Sequence, residues 1–143
     1  NDRRHRFKLF GAVELSDNFT IGTTMKVQSP RPLSCLGFHP TDVFAQAYGA
    51  ASHYCGGEPA PRGEGLESDW IGQFDFNLSY RMELPTGQSL RLTADVFNLF
   101  NSQGIQERDE IGELDLNVAS FNYGNATNYQ TPRYVRLSGH ISF

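Results

Sequence analysis

The sequence predicts an all-β fold: antiparallel up-and-down strands that form part of a transmembrane β-barrel. Three observations carry this reading. Five runs alternate polar and apolar residues with a period of two. In every run one face is free of charge, whereas the opposite faces together hold ten charged residues: Arg6, Lys8, Glu14, Lys26, Asp75, Arg81, Glu83, Arg91, Asp95 and Arg136. The connections alternate short, long, short, long, so antiparallel neighbours put both tight turns at one end and both long loops at the other. Outer-membrane barrels share that asymmetry of short periplasmic turns and long extracellular loops.

The first run, 5–16, lines up Phe7, Leu9, Gly11, Val13 and Leu15, and Asp17-Asn18 supplies a turn. The second, 19–28, aligns Phe19, Ile21, Thr23, Met25 and Val27, completing a hairpin. Residues 29–68 form a long loop rich in Gly, Pro and Ala that holds both cysteines. The third run, 69–84, carries Trp70, Gly72, Phe74, Phe76, Leu78, Tyr80, Met82 and Leu84 on one face, and Pro85-Thr86-Gly87 ends it. The fourth, 89–100, aligns Leu90, Leu92, Ala94, Val96 and Phe100. A second long loop, 101–132, is acidic and then rich in Asn and Tyr. The last run, 133–143, places Val135, Leu137, Gly139, Ile141 and Phe143 together. Runs of this length meet the roughly 9–11 residues that a tilted membrane strand needs. Trp70, Tyr80, Phe100 and Tyr134, near run ends, suit membrane interfaces.

A soluble antiparallel sandwich also alternates along its strands and is the competing architecture. Loops of 30–40 residues weigh against it, being unusual in a compact soluble domain. The 12 Lys and Arg against 16 Asp and Glu leave a net charge of −4, and the one basic cluster is Arg3-Arg4-His5-Arg6, so nucleic acid is not an expected partner. No apolar stretch approaches the 18 residues of a membrane helix. A start at Asn1-Asp2, with neither Met nor a signal-peptide pattern, reads as a processed chain or a fragment.

Several segments resemble a known family. Asp95-Val96-Phe97-Asn98-Leu99-Phe100-Asn101 resembles the penultimate-strand motif of TonB-dependent outer-membrane receptors, and Thr131-Pro132-Arg133-Tyr134-Val135-Arg136-Leu137, running on to Phe143, resembles their terminal strand. His5-Arg6-Phe7-Lys8-Leu9 and Ser29-Pro30-Arg31-Pro32 resemble segments further upstream in such barrels. Gly37-Phe38-His39-Pro40-Thr41-Asp42, Tyr48-Gly49-Ala50 and Pro61-Arg62-Gly63 resemble the Oar-like subgroup. The resemblance implies that 1–143 is the C-terminal segment of a much larger receptor in a Gram-negative outer membrane. Its barrel would have about 22 strands around a plug, whereas five strands fall short of the roughly eight that the smallest barrels need. The implied partners are the outer-membrane bilayer, the rest of the barrel and its plug, the TonB energy complex and the barrel-assembly machinery. The implied function is energy-coupled ligand uptake, with the loops capturing ligand; a structural or adhesive surface protein is the alternative.

Ile141 and terminal Phe143 match the alternating ending that the assembly machinery reads, by strand addition at an exposed edge. One departure is that Ser138 stands where such endings favour Gly, with Gly139 one place later. Cys35 and Cys55 are candidates for a disulfide, which in the chain-entropy account contributes about 3 kcal/mol. A metal site with His39 and His53, or two free thiols, are the alternatives. His39, Asp42 and His53 are not assigned to catalysis: no Ser stands in a G-x-S-x-G setting, and Pro40 and Asp42 are ordinary turn residues. No catalytic, cofactor-binding or metal-binding residue is assigned. Glu107, Asp109, Glu110, Glu113 and Asp115 read as a solvated loop face, and the charges Arg81, Glu83, Arg91 and Asp95 as mutual ion pairs or contacts to a plug.

Overall fold

Five long strands build one open antiparallel sheet in the computed structural model, which describes residues 2–143. They are β1 (Arg6–Ser16), β2 (Phe19–Gln28), β3 (Ile71–Glu83), β4 (Ser89–Phe97) and β5 (Tyr134–Ser142). Their order in space is their order in sequence, with β1 and β5 as the two edges. Ser16 pairs with Phe19 across the two-residue turn at Asp17-Asn18. The turn after β3 is closed by Gly87, whose N–H reaches the Leu84 carbonyl at 3.0 Å with φ of 82°, a conformation that costs a residue with a side chain about 1 kcal/mol or more. Between β2 and β3, Phe19 packs against Tyr80 while the Asn18 carbonyl accepts from Arg81 N at 2.8 Å.

The register keeps the two faces apart. Phe7 pairs with Val27, Leu9 with Met25 and Val13 with Ile21. Further across, Leu78 pairs with Ala94, and Ala94 in turn with Leu137; Phe76, Val96 and Val135 form a second such row. The polar rows are equally continuous, with Asn77 opposite Asp95 and Asp95 opposite Arg136. A slip of one residue between any two strands would carry charge onto the apolar face, so the alternation itself specifies the pairing.

Within the sheet's own unit, among the described residues, no second layer covers the apolar face. Leu137 is 78% exposed, and Phe7, Leu9, Val13 and Val135 are each more than half exposed. In a β-sandwich the inward faces of two sheets would bury such residues. The buried apolar residues among those described are Leu33, Cys35 and Ile71, and all three group with a separate unit, Ile71 being the residue at which the chain passes from it into β3.

That unit gathers the two long connections, Ser29–Ile71 and Gly104–Gln130, with the residues up to His5. Four two-stranded ladders give it regular structure: Pro32–Leu33 with Leu66–Glu67, Tyr54–Cys55 with Glu58–Pro59, Ile105–Arg108 with Ala126–Tyr129, and Glu113–Asp115 with Val118–Ala119. One helical turn, Val43–Gln46, is capped by Asp42, whose carboxylate accepts from Phe44 N at 2.9 Å and Ala45 N at 3.3 Å.

Strand ends depart from the periodicity. The fourth run was expected to reach Phe100, but β4 stops at Phe97 because Asn98 and Asn101 adopt φ of 50° and 53°. A left-handed residue cannot continue a strand, and Asn tolerates that region better than other residues with side chains.

Candidate functional site

Two constellations bring the singled-out residues together, one in each unit. The first is the segment Asp95–Asn101. Asp95, nearly buried, accepts from Arg136 through Nε at 3.0 Å and Nη2 at 2.8 Å, and Asn77 donates to its other oxygen. Val96 lies in register between Phe76 and Val135. The Phe97 ring stacks on Tyr134, with centroids 4.5 Å apart and planes 15° apart, and the Arg136 guanidinium sits 5.2 Å from the Phe97 ring centre. Leu99 N donates to the Phe74 carbonyl at 2.7 Å, and Phe100 packs on the Phe74 ring at 5.4 Å. Asn101 Oδ1 accepts from Arg133 N at 3.0 Å.

Asn98 is the centre of this knot and is 2% exposed. Its N–H donates to Asp75 Oδ1 at 2.9 Å. Its amide nitrogen donates to the carbonyls of Ser102 (2.9 Å) and Thr131 (2.8 Å), and its amide oxygen accepts from Ser102 N at 2.9 Å. One side chain therefore fastens the places where the chain leaves β4 and returns towards β5. The motif that carries the family resemblance is thus a strand-terminating knot whose buried members, Asp95 and Asn98, bond to neighbouring strands and turns, while Phe100 and Asn101 are exposed.

On the same charged face Arg81 pairs with Glu83 at 3.4 Å. Ile141 lies on the edge strand opposite Leu90, and Phe143, just beyond it, is 97% exposed.

The second constellation is the seam between the long connections. The sulfurs of Cys35 and Cys55 are bonded, with Cα atoms 6.0 Å apart. Beside them Leu36 N donates to the Glu110 carbonyl at 2.8 Å and Gly112 N to the Leu36 carbonyl at 2.7 Å, a parallel bridge between the two loops. Glu113, 2% exposed, accepts from Phe38 N at 2.7 Å with one oxygen and from Gly56 N at 3.0 Å with the other. Glu110 accepts from Ser34 N at 3.0 Å and pairs with Arg31 at 3.3 Å, and Glu107 lies 3.7 Å from the same guanidinium. Arg108 pairs with Asp69 at 3.2 Å and donates to the carbonyls of Glu67 and Gly124.

These contacts correct the reading of the acidic stretch as a solvated face at Glu113, which is buried, and in part at Glu110, whereas Glu107 and Asp115 are exposed as that reading expects. Loop backbone lacks ladder partners for many of its N–H groups, and the buried Glu113 and half-buried Glu110 carboxylates supply missing acceptors. Arg108 drew no attention in the sequence, Arg31 only as part of a family-like segment and Glu113 only as one of the acidic run, because their partners stand far away. Tyr123 belongs to the same seam. Burial, and then the nearby Glu110 carboxylate, raise its phenol above the ordinary tyrosine range.

His39 accepts at Nδ1 from the N–H groups of Thr41 and Asp42, at 3.3 and 3.0 Å, and its ring leans on Tyr54. Both His39 and Asp42 thus serve the local turn. Among the described residues no three His, Cys, Asp or Glu side chains are grouped to hold a metal ion. A cleft of about 470 Å³ in the loop unit is lined by Arg4, Arg31, Arg62, Glu64 and Glu110 among others, so its walls offer both signs of charge.

The chain is similar to the TonB-dependent transporter Oar of Myxococcus xanthus, with 28% identity over 182 residues. The similarity takes in 99% of this chain. It thus runs through both the strands and the loops. The chain spans 16% of that transporter's own length. No protein-family profile matches the chain, and no solved structure matches it.

Proposed function

We propose that the chain is a section of the wall of an outer-membrane β-barrel, with extracellular loops that capture ligand for TonB-dependent uptake. The observation that carries this reading is the single-layer sheet whose register holds one uncharged, uncovered face. About 25 cal/mol is lost for each Å² of apolar surface left in water, and a bilayer removes that cost. The likeness to a named transporter, through strands and loops alike, supports the same reading and favours transport over catalysis.

On this account the apolar face meets lipid and the charged face turns towards the barrel interior and its plug. The open edges at β1 and β5 pair with the rest of the barrel. Loops 29–68 and 101–132 project outside the cell, where the cleft lined by arginines and carboxylates suits a polar, charged ligand. Ligand held by loops and plug is released inward when the TonB complex pulls on the plug. Ile141 and Phe143 serve recognition by the barrel-assembly machinery.

Epitope insertion tests the arrangement in cells that make the protein from its own gene. A tag within Val43–Gln46 should be labelled on intact cells, and a tag at Thr86 only after permeabilisation. Recovery of the protein in a soluble fraction, or labelling of both tags only after lysis, would overturn it.

A further inference from the structure

The second long loop is built against the disulfide of the first. A side chain at Gly112 would meet Cys55 Sγ at 2.8 Å and would collide with Cys35 Sγ, so the backbone of the second loop lies directly on the sulfur pair. On one side of that contact Gly112 N is bonded to the Leu36 carbonyl, one residue beyond Cys35. On the other, Glu113 spans the two segments that the disulfide joins: one oxygen takes Phe38 N, three residues after Cys35, and the other takes Gly56 N, immediately after Cys55. A single carboxylate can satisfy both N–H groups only while those segments keep their spacing.

We infer that the Cys35–Cys55 disulfide is a redox-sensitive clasp that fixes the second loop as well as the first. A dithiol reductant converts the disulfide to two thiols, takes up the disulfide bond itself, and supplies the two electrons and two protons required. The freed segments then move apart, Glu113 loses one of its two donors, and residues 110–113 leave their place. In an oxidising setting the clasp is closed, and it opens where such a reductant acts. The inference rests on the loop unit alone and stands apart from the membrane reading.

Amide hydrogen exchange on the full chain, oxidised and after treatment with dithiothreitol, tests it. Reduction should raise exchange on the order of tenfold at Gly112 and neighbouring amides of the second loop, together with Leu36 and Phe38. Reoxidation should restore protection, and a Cys35→Ser, Cys55→Ser chain should match the reduced pattern without reductant. Faster exchange confined to residues 35–56, or no change in either loop, would overturn the clasp. The ladder Ile105–Arg108 with Ala126–Tyr129 serves as an internal control, since its protection should persist.

Discussion

The two units of this chain solve the same problem in opposite ways. The sheet carries most of the long apolar runs and yet buries none of them; its order comes from backbone ladders, face segregation and the knot at Asn98. The loop unit is poor in regular structure and yet holds the buried Leu33, Cys35 and Ile71, along with a buried carboxylate and a disulfide. A sheet that leaves its apolar face open depends on its surroundings to cover it, whereas the loop unit is cross-linked from within. The difference teaches that exposure here goes with well-ordered strand pairing and is not a lack of order.

The largest effect is expected from Asn98→Ala. The change strands the Ser102 N–H and the carbonyls of Ser102 and Thr131, and it puts Ala at a φ that Asn tolerates better. It should cost about 4 kcal/mol, read as a lower urea midpoint for the sheet in lipid vesicles. The loop unit's disulfide should survive that change, because none of its partners lies in the knot.

Breaking the disulfide should cost about 3 kcal/mol and act on the other unit. In a Cys35→Ser, Cys55→Ser chain, loops 29–68 and 101–132 should be cut by protease at a lower denaturant concentration, while the sheet's midpoint stays in place. Glu113→Gln should cost about 2 kcal/mol in the same loop assay, since the amide keeps one acceptor and loses the charge-assisted pair.

The smallest effect concerns pH. Tyr123 has a folded-state pKa above its unfolded value, so its neutral form is favoured by folding. That contribution is complete below the unfolded value, near pH 10, and is lost as the pH rises through the folded one. Alkaline titration of loop protection should show this step, and Tyr123→Phe should remove it.

The alternation and its consequences were legible in the sequence because period two is local: each run declares its own apolar face, and pairing must respect it. Arg81 and Glu83 could likewise be read as partners, being two residues apart on one strand face. The Cys35 and Cys55 pair could be named from the cysteine count alone, but not the loop that rests on it. The seam was hidden because its contacts join distant positions, Phe38 to Glu113 across 75 residues and Ser34 to Glu110 across 76. Nothing in a run of acidic residues distinguishes a carboxylate that accepts buried N–H groups from one in water. The end of β4 was misplaced for a related reason, since the turn at Asn98 depends on Asp75, Ser102 and Thr131 together.

The central claim is that the apolar face of the sheet meets lipid. Leu137 and Ser138 are neighbours near the middle of β5, both exposed, and they point to opposite faces. Unfolding by urea in lipid vesicles should therefore separate Leu137→Arg from Ser138→Arg. A lipid-facing Leu137 predicts a cost of about 2–4 kcal/mol for its arginine, with little change for the one at Ser138. Equal effects, both within about 0.5 kcal/mol of the parent as for ordinary exposed positions, would contradict a membrane wall.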